Sequence, residues 1–211
     1  MSSKQEETRK KVIKAASELF NEVGYENISM RQIARRADIN LASINYYFES
    51  KQNLLGEILK RGYLKLEQRI ELLFCEYPED TFVDSVQRLF DFFNRPRFRG
   101  SFLNSFKIFL NPEIGFKPLE YQGINHRPPG FKALLKKLTL DVGDTISDED
   151  KVWFIKILFT FINHHALLGE VLGSKAHVVG HFLGSTTIKD DLLRLTRCQL
   201  KALTRDENPL N

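Results

Sequence analysis

The side chains in this chain whose types and spacing could do chemistry gather in two places. Asn45 stands among Ser43, Tyr46, Tyr47 and Lys51 within one short stretch. A carboxamide presents a donor and an acceptor side by side, which matches the N6 and N7 edge of adenine, while hydroxyls and an ammonium suit phosphate oxygens. Such a cluster is equipped to read a nucleic acid. The second place is histidine-bearing: His177 and His181 have the i, i+4 spacing of helical metal ligands, with His164 and His165 further back. Gly180 interrupts that pair and no carboxylate or cysteine is placed beside it, so no metal is expected, and His164 and His165 fall to a pocket wall or a subunit interface. Cys75 and Cys198 are far apart and lack a neighbouring cysteine, which supports neither a disulfide framework nor a zinc ribbon and points to a reducing compartment. No phosphate-binding glycine loop, nucleophile elbow or zinc-protease pair occurs, so neither an enzyme nor a cofactor is expected.

The elements that must position the Asn45 cluster can be read from periodicity and caps. Over residues 8–23 the apolar side chains Val12, Ala16, Leu19, Phe20 and Val23 recur at helical spacing, and Gly24 supplies the stop. Ser29 and Gln32 have capping-box spacing, and Ile28 with Ile33 can form a hydrophobic staple, so a second helix starts at Ser29 and runs to Ala37. Asn40 is a good N-cap for a third, with Ile39 and Ile44 as its staple. Two short helices joined by so tight a turn must cross steeply, which is the helix-turn-helix arrangement. With Ile44 inward and about 100° per residue, Leu41, Tyr47 and Phe48 share the inner arc, while Ala42, Ser43, Asn45 and Tyr46 face out. Tyr47, on the inner edge, suits packing as well as contact, and Tyr46 is the more outward of the two. Ser50 then caps another helix and leaves Lys51 in its first turn, where free N–H groups favour a phosphate.

The rest of the 211 residues bounds the class. A composition of 42% hydrophobic and 27% charged residues is that of a globular protein. The net charge of +4 is too small to argue for nucleic acid alone. Lys4, Arg9, Lys10, Lys11 and Lys14, followed by Arg31, Arg35, Arg36 and Lys51, are concentrated early, but Glu6, Glu7, Glu18 and Glu22 intersperse them, and a mixed solvated face would look the same. No apolar run reaches the roughly 18 residues of a membrane span and the first residues are not leader-like, so a cytoplasmic address is expected. A long helix is predicted over 50–75 and others over 80–93, 98–110, 129–142, 147–172 and 188–203, with a Pro- and Gly-rich loop over 112–129. The helix after Ser147 is apolar on nearly every side from Val152 on, so it needs two buried faces. One face meets the domain core, and the other meets either the same monomer or a partner subunit in a two-fold bundle with the helix bearing Ile188, Leu192, Leu195 and Leu203. Phe98, Phe102, Phe106 and Phe109, set against Trp153, Phe154, Phe159 and Phe161, form either an aromatic cavity for an apolar or amphipathic small molecule or an ordinary core.

Three blocks in order carry a family resemblance. They are Thr8-Arg9 leading into Ala15-Ala16, Leu19-Phe20 and Gly24-Tyr25; then Ile28-Ser29-Met30-Arg31-Gln32-Ile33-Ala34; then Ile44-Asn45-Tyr46-Tyr47-Phe48 with Ser50-Lys51 and Leu54. Together they resemble the DNA-binding domain of the TetR family. The resemblance implies an all-α, TetR-like fold: an N-terminal three-helix helix-turn-helix domain over 1–54 and a C-terminal helical ligand-sensing and dimerisation domain over 55–211. It implies a homodimer through the helices near 147–172 and 188–203, bound to a palindromic double-stranded operator, usually as a repressor, and released by a small effector. Carried over residue by residue, it puts DNA contacts at Ser29, Met30, Arg31, Leu41, Ala42, Ser43, Asn45, Tyr46, Tyr47 and Lys51. The long helix would transmit a ligand-induced tilt, and the ligand pocket would involve Phe102, Phe106, Phe109, Phe161 and His165. Relatives often have tyrosine where Asn45 stands and histidine where Tyr47 stands, so the operator sequence does not transfer, and the resemblance does not identify the effector. Two other readings predict different behaviour: a TetR-fold DNA- or protein-binding factor without an inducer, whose affinity no metabolite weakens, and a helical hydrolase with a histidine in a Phe-lined cleft, which turns over substrate and lacks salt-sensitive DNA affinity.

Overall fold

The computed structural model describes residues 3–95, 127–172 and 185–204. Every regular element among them is a helix: α1 (Ser3–Val23), α2 (Met30–Ala37), α3 (Leu41–Phe48), α4 (Lys51–Cys75), α5 (Phe82–Phe93), α6 (Phe131–Val142), α7 (Asp148–Leu172) and α8 (Ser185–Thr204). The helix expected over 98–110, most of the loop over 112–129, and His177 and His181 lie outside the described residues. Contacts divide the described chain into two units, the first ending at Lys65 and the second beginning at Leu66, so α4 contributes to both. No helix among the described residues is long and apolar enough to cross a membrane.

In the first unit, α1 starts at Ser3 rather than at residue 8, about two and a half turns before its first apolar residue, Val12. That polar stretch is held by a Thr8 Oγ1–H donated to the Lys4 carbonyl at 3.0 Å and by ion pairs Lys11–Glu7 (3.5 Å) and Arg61–Glu6 (3.6 Å). Further on, Val12, Ile13, Ala16 and Phe20 are buried against α2 and α3. Gly24, at φ 84°, ends the helix in the left-handed region that glycine enters without cost. The expected capping box of α2 is present: Ser29 N–H and Oγ–H donate to Gln32 Oε1 at 2.7 and 2.8 Å, and Gln32 N–H returns to Ser29 Oγ at 3.3 Å. Asn40 Oδ1 caps α3 by accepting from Ala42 N–H at 2.9 Å. Both staples close, since Ile28, Ile33 and Ile44 belong to one buried cluster and Ile39 packs on it. Between α2 and α3, Asp38 takes the left-handed conformation at φ 53°, ψ 47°, which short polar side chains tolerate.

The second unit packs α5, α6, α7, α8 and the last turns of α4 around Ile70, Phe82, Leu89, Phe131, Leu134 and Phe159, with Leu192 from α8. Polar fasteners set how these helices meet. Lys137, buried on α6, donates to the carbonyls of Tyr77, Pro78 and Asp80 at 3.1, 2.7 and 3.1 Å, so its ammonium closes the loop between α4 and α5. Asp141, one turn later, accepts the Phe82 N–H at 2.6 Å and places a carboxylate at the start of α5. At the other end of α6, Glu67 accepts from Gly130 N–H at 2.7 Å, and Gly130 lies so close that an added Cβ would sit 2.6 Å from Ile70 Cγ2. Helix α5 begins at Phe82 rather than at residue 80, because Thr81 forms its own capping box with Asp84.

Candidate nucleic-acid interface

The face offered by α3 follows from how the helix is anchored. Ile44 is fully buried and Phe48 nearly so, at 0% and 3% exposure. Burying an isoleucine side chain is worth roughly 2 kcal/mol, enough to fix which arc of so short a helix points inward. Leu41 and Tyr47 are half-buried against the same core. Ala42, Asn45 and Tyr46 are exposed, Ser43 is half-buried at their edge, and Tyr46 stands out of the surface at 76% exposure. The Tyr46 ring meets Tyr47 edge-on at 5.4 Å, and Tyr47 meets Phe48 at 6.5 Å, so a row of rings leads from solvent to core. The alternative of a packed Tyr46 is thereby removed, while Tyr47 takes the packing role in part.

Past α3 the chain reverses within a single residue. Glu49 sits at φ 59°, ψ −45°, and across it the Ser50 N–H donates to the Phe48 carbonyl, which makes a γ-turn. A non-glycine residue there costs about 1–3 kcal/mol. The return is that α4 begins at once: Ser50 Oγ accepts the Asn53 N–H at 3.1 Å and Lys51 opens the helix beside the end of α3. Behind α3, the Arg9 guanidinium lies 5.6 Å from the Phe48 ring and pairs with Glu57 at 3.2 Å, and Glu57 also holds Arg61 at 2.9 Å. These ties brace α1 and α4 at the back of the helix.

The cations around this face differ in how they are engaged. Lys51 Nζ lies 4.1 Å over the centre of the Tyr25 ring, and partial burial lowers its pKa from the ordinary value while the Glu26 charge works against that. On α2, Arg36 is bound to Glu22 through two hydrogen bonds of 3.0 and 2.7 Å and reaches Glu18 at 3.8 Å. The Glu22 carboxyl is held below its ordinary pKa, mainly by the Arg36 hydrogen bonds. Arg31 and Arg35 remain exposed on the flank of α2 away from that pair. Met30 is half-buried and contributes to packing, and Ser29, though exposed, has its hydroxyl proton committed to Gln32.

The residues expected to line a ligand pocket are described only in part. Phe161 is half-buried against the second core and His165 stacks on Phe90 at 5.1 Å with the rings 18° apart. Phe98, Phe102, Phe106 and Phe109 lie outside the described residues. Of their expected counterparts, Phe154 and Phe159 are core residues, whereas Trp153 points outward at 55% exposure, as adjacent helical positions must diverge. Among the described residues no cluster of three or more histidine, cysteine or acidic side chains could hold a metal, and Cys75 and Cys198 are free and exposed. Tyr25 is the residue at this site that spacing alone does not reveal as a partner of Lys51; its one sequence signal is its place directly after Gly24.

Similarity to known proteins falls on the same stretch of chain. Residues 12–58 match the family model described as bacterial regulatory proteins, tetR family. The probable HTH-type transcriptional regulator YttP of Bacillus subtilis is 38% identical over 64 residues, covering 30% of this chain and 31% of that protein. The HTH-type transcriptional repressor KstR of Rhodococcus jostii is 37% identical over 68 residues, 32% of each chain. This chain therefore spans about a third of the length of these two curated relatives. Over 99% of its length it superimposes on the whole of a TetR-family transcriptional regulator from Pectobacterium atrosepticum with a TM-score of 0.62, at 14% identity, a likeness of fold.

Proposed function

We propose that this chain, which belongs to the TetR family of bacterial transcriptional regulators through its N-terminal domain, binds a palindromic operator as a homodimer, represses transcription there, and is released by a small apolar or amphipathic ligand. The observation that supports DNA binding most is the exposed face of α3: Ala42, Asn45 and Tyr46 stand outward on a helix fixed by Asn40 and Ile44, with Lys51 and Arg31 as flanking cations. A face with a carboxamide at its centre and cations at its margins suits base edges within a groove and phosphates beside it. In this reading Ser43 meets a base or a phosphate, Tyr46, Tyr47 and Lys51 meet phosphates, and the start of α2 supplies phosphate contacts from Met30 and Arg31 beside the Ser29 cap, whose own donors are held by Gln32, with Leu41 and Ala42 at the groove wall.

Dimerisation through α7 and α8 is supported by what those helices leave uncovered. Trp153 and Ile157, one turn apart on α7, are 55% and 42% exposed, and Leu195 on α8 is 36% exposed. A second copy related by a two-fold axis would bury the same residues twice. The effector site belongs to the second unit, where Phe161 and the His165–Phe90 stack offer aromatic surface. Repression is proposed because KstR, similar over the DNA-binding region, is named a repressor.

The test is binding of the purified chain to the DNA upstream of its own coding sequence, followed by fluorescence anisotropy across a salt series. Specific retardation of a palindromic fragment is expected, with log affinity falling against log salt by about 0.9 per phosphate contact. Equal, weak binding to every duplex overturns the operator reading, and absence of salt-dependent binding overturns DNA recognition altogether.

A further inference from the structure

We propose that Tyr25 is a positioning residue for DNA binding, whose ring holds the Lys51 ammonium at the start of α4 so that one fixed positive charge meets the phosphate backbone. This assignment rests on the DNA-binding reading above. Lysine is a flexible side chain, and its ammonium ordinarily loses considerable freedom when it docks on an anion. Here Nζ already lies 4.1 Å over the Tyr25 ring, well within the roughly 6 Å at which a cation is attracted to a ring face.

The ring is itself held in place. Tyr25 packs edge-on against Phe20, with centroids 5.3 Å apart and planes at 66°, and Phe20 is 8% exposed in the core of the first unit. Its backbone follows the left-handed Gly24, whose N–H donates to the Phe20 carbonyl at 3.1 Å, and Asn27 Nδ2 ties the loop to the Val23 carbonyl at 2.8 Å. The seat is therefore rigid on both sides of Tyr25.

The kind of seat matters. The charge of Glu26 acts on Lys51, but among the described residues no carboxylate lies within ion-pair distance of its ammonium, whereas Arg36 is consumed by two glutamates. A carboxylate would compete with a phosphate for the same N–H groups, while a ring face attracts the charge and leaves its donors available. Partial burial, which lowers the Lys51 pKa, also means that some of its water has been shed before any anion arrives. Lys51 is thus oriented and partly desolvated in advance.

The experiment uses the full chain and a fluorescein-labelled duplex of mixed sequence, titrated over a salt series with the wild type, Lys51→Ala, Tyr25→Leu, Tyr25→Phe and the double variant Tyr25→Leu/Lys51→Ala. Removing Lys51 is expected to reduce the log–log salt slope by about 0.9. Tyr25→Leu is expected to reproduce most of that reduction, with a several-fold loss of affinity, and the double variant to bind no more weakly than Lys51→Ala alone. Tyr25→Phe, which keeps the ring, is expected to restore the slope. Because loss of a ring packed on Phe20 can unfold the domain, a second measurement needs no such variant. In the wild type carrying ¹³C-methylated lysines, the Lys51 resonance, assigned by its loss in Lys51→Arg, should be shifted upfield by the ring current. A normal wild-type slope that Tyr25→Leu leaves untouched, additive losses in the double variant, or an unshifted Lys51 resonance each overturns the assignment alone. A wild-type chain without salt-dependent affinity overturns the DNA-binding reading, and the assignment with it.

Discussion

Two residues, Asn45 on α3 and Lys51 at the start of α4, separate recognition from adhesion. Asn45 is exposed at the centre of the outer face, where a carboxamide can pair with a base, so Asn45→Ala is expected to lower the ratio of operator to random-duplex affinity by about 1–3 kcal/mol. Lys51→Ala should weaken both affinities alike, since a phosphate contact carries no sequence information. Parallel anisotropy titrations of both duplexes check the pair, and an unchanged ratio for Asn45→Ala would remove that residue from base reading. At this scale the sequence was legible wherever the deciding contact is local. The outward arc of α3 follows from Ile44 and about 100° per residue, and Tyr46 is exposed as the wheel implies. The Lys51–Tyr25 contact was not legible, because it joins residues brought together by the chain reversal between α1 and α4 rather than by any helical repeat.

Caps and their strain belong to the scale of elements. Gly130 stands at φ 85° with Ile70 Cγ2 2.6 Å from the site of a Cβ, whereas Gly143 stands at φ 60° with open space around it. Gly130→Ala is therefore expected to cost about 3 kcal/mol or more, strain and overlap together, and Gly143→Ala, whose ψ of −138° suits glycine alone, about 2 kcal/mol from strain without overlap. Chemical denaturation of the two variants compares them, and equal losses would mean that Ile70 moves aside freely. Asp84 supplies a pH dependence. Its pKa is lowered first by the Thr81 side-chain hydrogen bond, then by the Thr81 backbone and by Arg88 and Arg197. A carboxyl with a depressed folded pKa contributes stability fully above its unfolded value, near 4, and loses it as the pH falls through the folded value. The gap in melting temperature between the wild type and Asp84→Asn should thus hold constant above about pH 5 and narrow in acid below about pH 4. A gap that does not change with pH would exclude the ionised capping box as its source.

Element boundaries show the same division between local and distant causes. Ser29, Asn40 and Ser50 were readable as caps because the groups that satisfy them lie within three residues. The start of α1 was not, since residues 3–7 bear no apolar repeat and are held by charges, including Arg61 from α4. The closure of the α4–α5 loop by Lys137 was equally silent, its acceptors lying 57 to 60 residues away.

At the scale of the whole molecule, the helices of the described residues followed from periodicity, and Trp153 and Ile157 leave one face of α7 exposed. If a second copy covers that face, Trp153→Glu should leave the monomer folded, halve the mass in sedimentation, and lower operator affinity more than about tenfold as the two half-sites lose their linkage. An unaltered dimer in this variant would place the interface elsewhere. The buried Lys137 adds a consequence of a different kind. Its nitrogen is surrounded by three backbone oxygens, while among the described residues every lysine but Lys137 and Lys151 is at least partly open to solvent. An acylating reagent would mark those others quickly and Lys137 only when the 77–80 segment lifts away. The time course of its modification, read by mass spectrometry, would therefore act as a clock for local opening in a chain that otherwise stays folded.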